Sequence, residues 1–178
     1  MCRLLFERID DSKGRIVVVG SLAYKMGLKR IKFEDINFDQ KYSPWDAYAQ
    51  SKLALMMFAY ELHRRVKRAG KHIQVQVCHP GASRTHLIKR DNIRLDVKIL
   101  FTLLSPFIAQ SAEKGAWPEV MCATEEELAV EKLYGPTKRG QLVGPIGECS
   151  LDNNVLNREE AAQLWTLSEE KTSQHWPI

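Results

Sequence analysis

Two short apolar runs on either side of one long helical stretch constrain this chain more than any other feature. Arg15-Ile-Val-Val-Val-Gly-Ser21 is apolar throughout rather than alternating. That is the pattern of a parallel strand covered on both faces. Residues 22–43 follow as an irregular, charged stretch. Ser43-Pro44-Trp45-Asp46 then carries the marks of a helix start. Ser43 can be the N-cap, Pro44 suits the first helical position, and Asp46 can close a capping box three residues on. The predicted helix runs to Ala69, about 39 Å at 1.5 Å per residue, and Gly70 can end it in the left-handed conformation. Residues 73–78, Ile-Gln-Val-Gln-Val-Cys, read as the next strand, followed at once by His79-Pro80-Gly81. Strand, long helix, strand is the βαβ unit of a parallel sheet.

Composition agrees with an ordinary globular chain. Of 178 residues, 44% are apolar and 27% charged, which excludes collagen-like, disulfide-scaffold and mainly disordered classes. The length suggests one domain, 1–178, able to bury roughly 70% of the surface its unfolded chain exposes. No apolar run reaches the roughly 20 residues a spanning helix needs, so no membrane span is expected. No signal-peptide pattern opens the chain either, because Arg3, Glu7, Arg8, Asp10 and Asp11 interrupt it. Cys2, Cys78, Cys122 and Cys149 are widely spaced and form no C-x-x-C. They read as reduced thiols, which points to a cytoplasmic setting.

Charge is uneven. Residues 1–100 carry 20 Lys/Arg against 10 Asp/Glu, whereas residues 101–178 carry 6 against 12. A basic half can attract nucleic acid, an acidic membrane or a phosphorylated cofactor, or it can be an unevenly charged solvated surface. The run His63-Arg-Arg-Val-Lys-Arg68 has few aromatics and no reading motif, so nucleic acid is not the expected partner. Downstream, residues 111–124 read as a helix and 141–145 as a short last strand. Residues 157–172 read as a terminal amphipathic helix with Asn157 as N-cap and Glu160 three residues later. Residues 2–9 could be the end of another helix.

Tyr48-Ala-Gln-Ser-Lys52 is the most informative pentapeptide. Residues four apart share a helix face, so Tyr48 and Lys52 project into the same space. A free phenol ionises near pH 10, too high for a base at neutral pH, and a nearby ammonium favours the phenolate. Such a tyrosine can exchange a proton with an alcohol or carbonyl. The plain alternatives are a surface pair or a core tyrosine. Ser21 ends the preceding strand, and ligands in open parallel sheets bind at the carboxyl ends of strands. Alone, it would be a turn serine. Pro80 and Gly81 follow the next strand at the same sheet edge. Thr85, four residues on, could meet a ligand or simply cap a loop.

Taken together, Val-Val-Val-Gly-Ser21, Tyr48-Ala-Gln-Ser-Lys52 and Val77-Cys-His-Pro-Gly-Ala-Ser-Arg-Thr85 resemble the short-chain dehydrogenase/reductase family. The stretch from Asp35-Ile-Asn-Phe38 through Tyr42-Ser-Pro-Trp-Asp-Ala-Tyr-Ala-Gln-Ser-Lys-Leu-Ala54, with Leu133-Tyr-Gly-Pro136, is similar to its retinol-dehydrogenase-like branch. The match covers most of residues 13–147. The resemblance implies that Tyr48 is the general acid/base and that Lys52 eases its ionisation and holds the nicotinamide ribose. Ser21 would orient a substrate carbonyl. Pro80, Gly81 and Thr85, with Tyr48 and Lys52, would line the nicotinamide end of NAD or NADP. The reaction would be hydride transfer between the nicotinamide and a small apolar alcohol or carbonyl substrate. Residues 86–110 would form a substrate lid, with Leu87, Ile88, Leu95, Ile99, Leu100 and Phe101 its apolar lining, or else core or interface.

The family's Gly-rich turn under the pyrophosphate, its NAD/NADP-choosing residue, its N-N-A-G segment and its relay asparagine have no counterpart here. None of the ten glycines forms such a cluster. The expected fold is therefore α/β, a partial doubly wound (Rossmann-like) parallel sheet lacking its N-terminal βαβ half. The expected consequences are impaired cofactor binding, a homodimer covering an apolar sheet edge, or a truncated product. A competing reading is a non-catalytic dimerisation or interaction module, using Leu53, Met56, Met57 and Tyr60 as an apolar stripe unless these face the sheet. Gly20-Ser21-Leu22-Ala23 breaks the serine-hydrolase elbow. His79 and His86 have no metal-ligand spacing, so no metal is expected.

Overall fold

A computed structural model describes residues 2–9, 11–83 and 109–178. Among these residues, four strands form one sheet in the order β1-β2-β3-β4: β1 is Arg15–Val19, β2 Gln74–Cys78, β3 Leu133–Lys138 and β4 Val143–Cys149. β1 and β2 run parallel, with Val19 opposite Cys78. β2 and β3 are also parallel, through Val77↔Leu133 and Cys78↔Tyr134. β4 returns antiparallel to β3. Among the described residues, four α-helices accompany the sheet: α1 Cys2–Leu5, α2 Pro44–Arg68, α3 Ala112–Thr124 and α4 Arg158–Thr172.

The alternation of side chains along β1 and β2 explains the layering. Ile16, Val18, Val75 and Val77 pack on one face with Leu53, Met56, Met57 and Tyr60 of α2. Val17, Val19 and Cys78 pack on the other with Met121 and Cys122 of α3. Both faces are thus apolar, which is why the strand sequences do not alternate. Leu53, Met56, Met57 and Tyr60 are buried against the sheet, so the stripe that could have been a dimer contact belongs to the core. A second copy would have to use other residues.

Helix ends follow local chemistry. The Ser43 hydroxyl accepts from the Asp46 N–H at 3.3 Å, Pro44 opens α2, and Gly70 beyond its end has φ +70°. Ser111 caps α3, and Asn157 caps α4 by accepting from Glu159 and Glu160 N–H at 3.1 and 3.2 Å. α4 seats Trp165 on α2, stacked on Phe58 at 4.6 Å and lying under the Arg65 guanidinium at 4.3 Å. Trp176 of the C-terminal tail joins these rings and Phe6.

The structure extends the predicted last strand. Residues 141–145 are the tail of a turn and the start of β4, which pairs with β3 as a hairpin across residues 139–142. Residues 2–9 form α1 and a 3-10 turn, Phe6–Arg8, whose Phe6 is buried. Among the described residues, no helix is long and apolar enough to cross a membrane.

Candidate active site

The carboxyl ends of β1 and β2 lie side by side. The Gly20 N–H donates to the Cys78 carbonyl at 2.7 Å, one step beyond the paired residues. A Cβ on Gly20 would stand 2.8 Å from the Met56 sulfur, so glycine lets α2 approach this strand end closely. Ser21 follows and caps the 3-10 turn Leu22–Lys25, its Oγ accepting from the Ala23 N–H at 3.2 Å. Because Oγ is the acceptor in that bond, its own proton is left for a second partner.

Tyr48 and Lys52 stand on one face of α2, the Lys52 Nζ 5.9 Å from the Tyr48 ring centre. Lys52 Nζ donates to the Val19 carbonyl at 3.2 Å, two residues before Ser21. This bond ties the helix to the end of β1 and uses one of the ammonium's three donors. Tyr48 is 40% exposed. The contrast with two other tyrosines is informative. Tyr24 and Tyr60 are buried. The Tyr24 oxygen accepts from the Asp152 N–H, Tyr60 donates to the Lys132 carbonyl, and burial pushes both phenols up, Tyr24 to about 12. Tyr48 is not a core tyrosine of that kind. Gly27 packs against the next residue of the helix: a Cβ there would overlap that of Ala49.

Pro80 and Gly81 leave β2 at the same edge. The Pro80 carbonyl accepts from Gln110 Nε2 at 2.9 Å and Ser83 Oγ at 3.3 Å. Gly81 has φ +65°, and a Cβ would collide with the Leu142 carbonyl, so only glycine fits. Thr85 lies outside the described residues, as do Leu87, Ile88, Leu95, Ile99, Leu100 and Phe101. Sequence reasoning weighed His79 only as a metal ligand and gave it no role, but it is buried directly before the Pro-Gly pair. Burial, with the Lys25 charge behind it, holds its imidazole down to about pKa 4. Lys25 is itself engaged by Ser150, through carbonyl and hydroxyl, and by Asp152 at 3.7 Å. The signal for His79 was its place between a strand end and Pro80.

No protein-family model matches the chain. It is 37% identical to human retinol dehydrogenase 14 over 160 residues and 36% identical to human retinol dehydrogenase 13 over 173 residues. These alignments take in 90% and 94% of this chain. Its homologues are the retinol dehydrogenases, which are short-chain dehydrogenase/reductases. Human polyprenol dehydrogenase is more distant, at 29% identity over 180 residues. The chain spans about half the length of the curated relatives it matches: 44% of retinol dehydrogenase 14 and 49% of retinol dehydrogenase 13. A crystal structure of an uncharacterized protein from Mycobacterium paratuberculosis superposes with a TM-score of 0.76 at 31% identity. It covers 99% of this chain and 56% of that one. The α/β fold is therefore shared over almost the whole of this chain.

A nicotinamide cofactor is what such relatives imply, and the residues at this edge can be compared with its two ends. The nicotinamide–ribose end needs hydrogen-bonding groups on an accessible sheet edge. Tyr48 is accessible there, and Lys52 keeps donors beyond its bond to Val19. These residues fit. The pyrophosphate end needs a glycine-rich turn at a helix N-terminus, and the ten glycines supply no such cluster. Among the described residues, no three His, Cys, Asp or Glu side chains gather closely enough to hold a metal ion.

Proposed function

We propose that this chain carries the catalytic half of an NAD- or NADP-dependent oxidoreductase acting on an apolar alcohol or its carbonyl partner. The observation that carries this reading is the accessible Tyr48 with Lys52 beside it, the lysine anchored to the end of β1. Retinol and polyprenol, named for the relatives, give the substrate class: an apolar alcohol. When bound, the nicotinamide would supply the hydride chemistry. Tyr48 would take the proton from the alcohol oxygen, or return it to the carbonyl oxygen, at its phenol Oη. Ser21, with its Oγ proton uncommitted to Ala23, would hydrogen-bond the same substrate oxygen and hold it in line with Tyr48. Lys52 would hold the ribose hydroxyls with its remaining donors, and Pro80 and Gly81 would border the nicotinamide face. The four free thiols support a reducing, cytoplasmic setting.

A second reading is favoured by the missing glycine cradle and by β1, which pairs on one side only among the described residues. In it, the chain is a non-catalytic relative that binds a second copy or another protein. Titration of NADPH and NADH into the 178-residue chain, followed by nicotinamide fluorescence, separates the two. Micromolar binding is expected on the first reading. Tyr48→Phe should then keep binding within a few-fold and lose about 10²- to 10⁴-fold in turnover of a retinol-like alcohol. No binding up to millimolar cofactor would leave the second reading standing.

A further inference from the structure

The imidazole of His79 is 1% exposed. Its Nε2 has no partner among the described residues. Its Nδ1 accepts from the Gly81 N–H at 3.1 Å. The acceptor must be unprotonated, so the ring's proton sits on Nε2, and a buried N–H goes without a partner. Such a group carries a desolvation cost and persists where the other nitrogen does something a hydrocarbon cannot. Gly135 makes room for it: a Cβ there would overlap Nε2 and stand 2.6 Å from Cδ2. β3 thus gives up a side chain where this ring lies at the end of β2.

Backbone hydrogen bonds frame the turn that results. The His79 N–H donates to the Tyr134 carbonyl at 2.8 Å, the Ala82 N–H to the Leu142 carbonyl at 2.9 Å, and the Gln110 N–H to the Ala82 carbonyl at 2.8 Å. The Gly81 N–H, by contrast, is satisfied by a side chain. Remove that acceptor and Gly81, in its left-handed conformation, loses the bond that fixes its peptide plane.

We propose that His79 is a positioning residue that sets the Pro80–Gly81 turn through Nδ1 and thereby shapes the nicotinamide end of the site. The assignment rests on the functional reading above. The decisive comparison is His79→Ala against His79→Asn, because the Asn Oδ1 can occupy the place of Nδ1. Two readouts are taken on the full chain: hydrogen exchange at the Gly81 amide without cofactor, and NADPH affinity. His79→Ala should speed Gly81 exchange at least 10-fold and weaken NADPH by a similar factor, and His79→Asn should restore both to within about 3-fold. Unchanged Gly81 exchange and unchanged affinity in His79→Ala would overturn the assignment alone. A wild-type chain that binds no NADPH overturns the functional reading and takes the nicotinamide role of His79 with it. Should His79→Ala not fold, nitrogen NMR of the wild-type ring decides. Nε2–H with a bare Nδ1 is expected, and the opposite tautomer would overturn the proposal.

Discussion

Acidification should destabilise this protein through His79 well before its carboxylates titrate. Burial and, second, the Lys25 charge hold the imidazole near 4 in the folded chain, against about 6.5 in an unfolded one. Between those values the unfolded chain binds the proton and the folded chain does not. Stability is therefore complete above about pH 6.5 and falls as pH drops toward 4. The full gap is worth roughly 3 kcal/mol at 1.36 kcal/mol per pH unit. Between pH 7 and pH 5 alone the loss is about 2 kcal/mol, because at pH 5 the unfolded imidazole is almost fully protonated and the folded one scarcely. Urea unfolding at the two pH values measures it, and a slope of about 2 kcal/mol per molar puts the midpoint shift near 1 M. His63, also depressed by burial, contributes with the same sign, so wild type must be compared with His79→Asn. The variant should lose about 2 kcal/mol less than wild type over this interval. Equal losses in the two proteins would refute the reasoning.

Two further substitutions probe the frame around the site. Gly81→Ala puts a Cβ into the Leu142 carbonyl at a φ of +65°. It should cost at least about 2 kcal/mol of stability, read as a lower urea midpoint at unchanged slope. Trp165→Ala removes a buried ring stacked on Phe58 and covered by Arg65. A loss of about 3–5 kcal/mol is expected by thermal or urea unfolding, with NADPH affinity of any folded fraction unchanged.

What could be read from the sequence was what local chemistry decides. The apolar run 15–19, Ser43 and Pro44 at the start of α2, Gly70 past its end and Asn157 before α4 each act through neighbours a few residues away. β3 and β4 were harder because their residues look like turn material. β3 contains Gly135 and Pro136, and β4 contains Gly144, Pro145 and Gly147. Their reasons are tertiary. β2 pairs with β3 only at Leu133 and Tyr134, so Pro136 lies past the point where β2 would need its amide. Among the described residues β4 is an edge strand, where proline is tolerated. Gly135 is glycine because the His79 ring occupies the room its side chain would need. Tyr48 and Lys52 were legible from their spacing. The lysine's bond to Val19, 33 residues away, was not, and it is this bond that ties the pair to the end of β1.

The candidate site and the core answer to one constraint, the register of β1 against β2. Ser21 is carried by the end of β1, His79 to Gly81 by the end of β2, and Lys52 reads the position of β1 through the Val19 carbonyl. A slip of one residue would move Ser21 by about 3.3 Å and turn every β1 side chain to the opposite face. Ile16 and Val18 would then face α3, and Val17 and Val19 would face α2. All four are apolar, so hydrophobicity alone would resist that slip only weakly. Arg15 resists it more strongly. Its guanidinium donates to the carbonyls of Cys122 and Glu125 at the end of α3, and a slip would carry that charge to the apolar α2 face, where a buried unpaired guanidinium is costly. The single charged residue at the start of β1 therefore sets the alignment on which Ser21 and Lys52 depend at its far end.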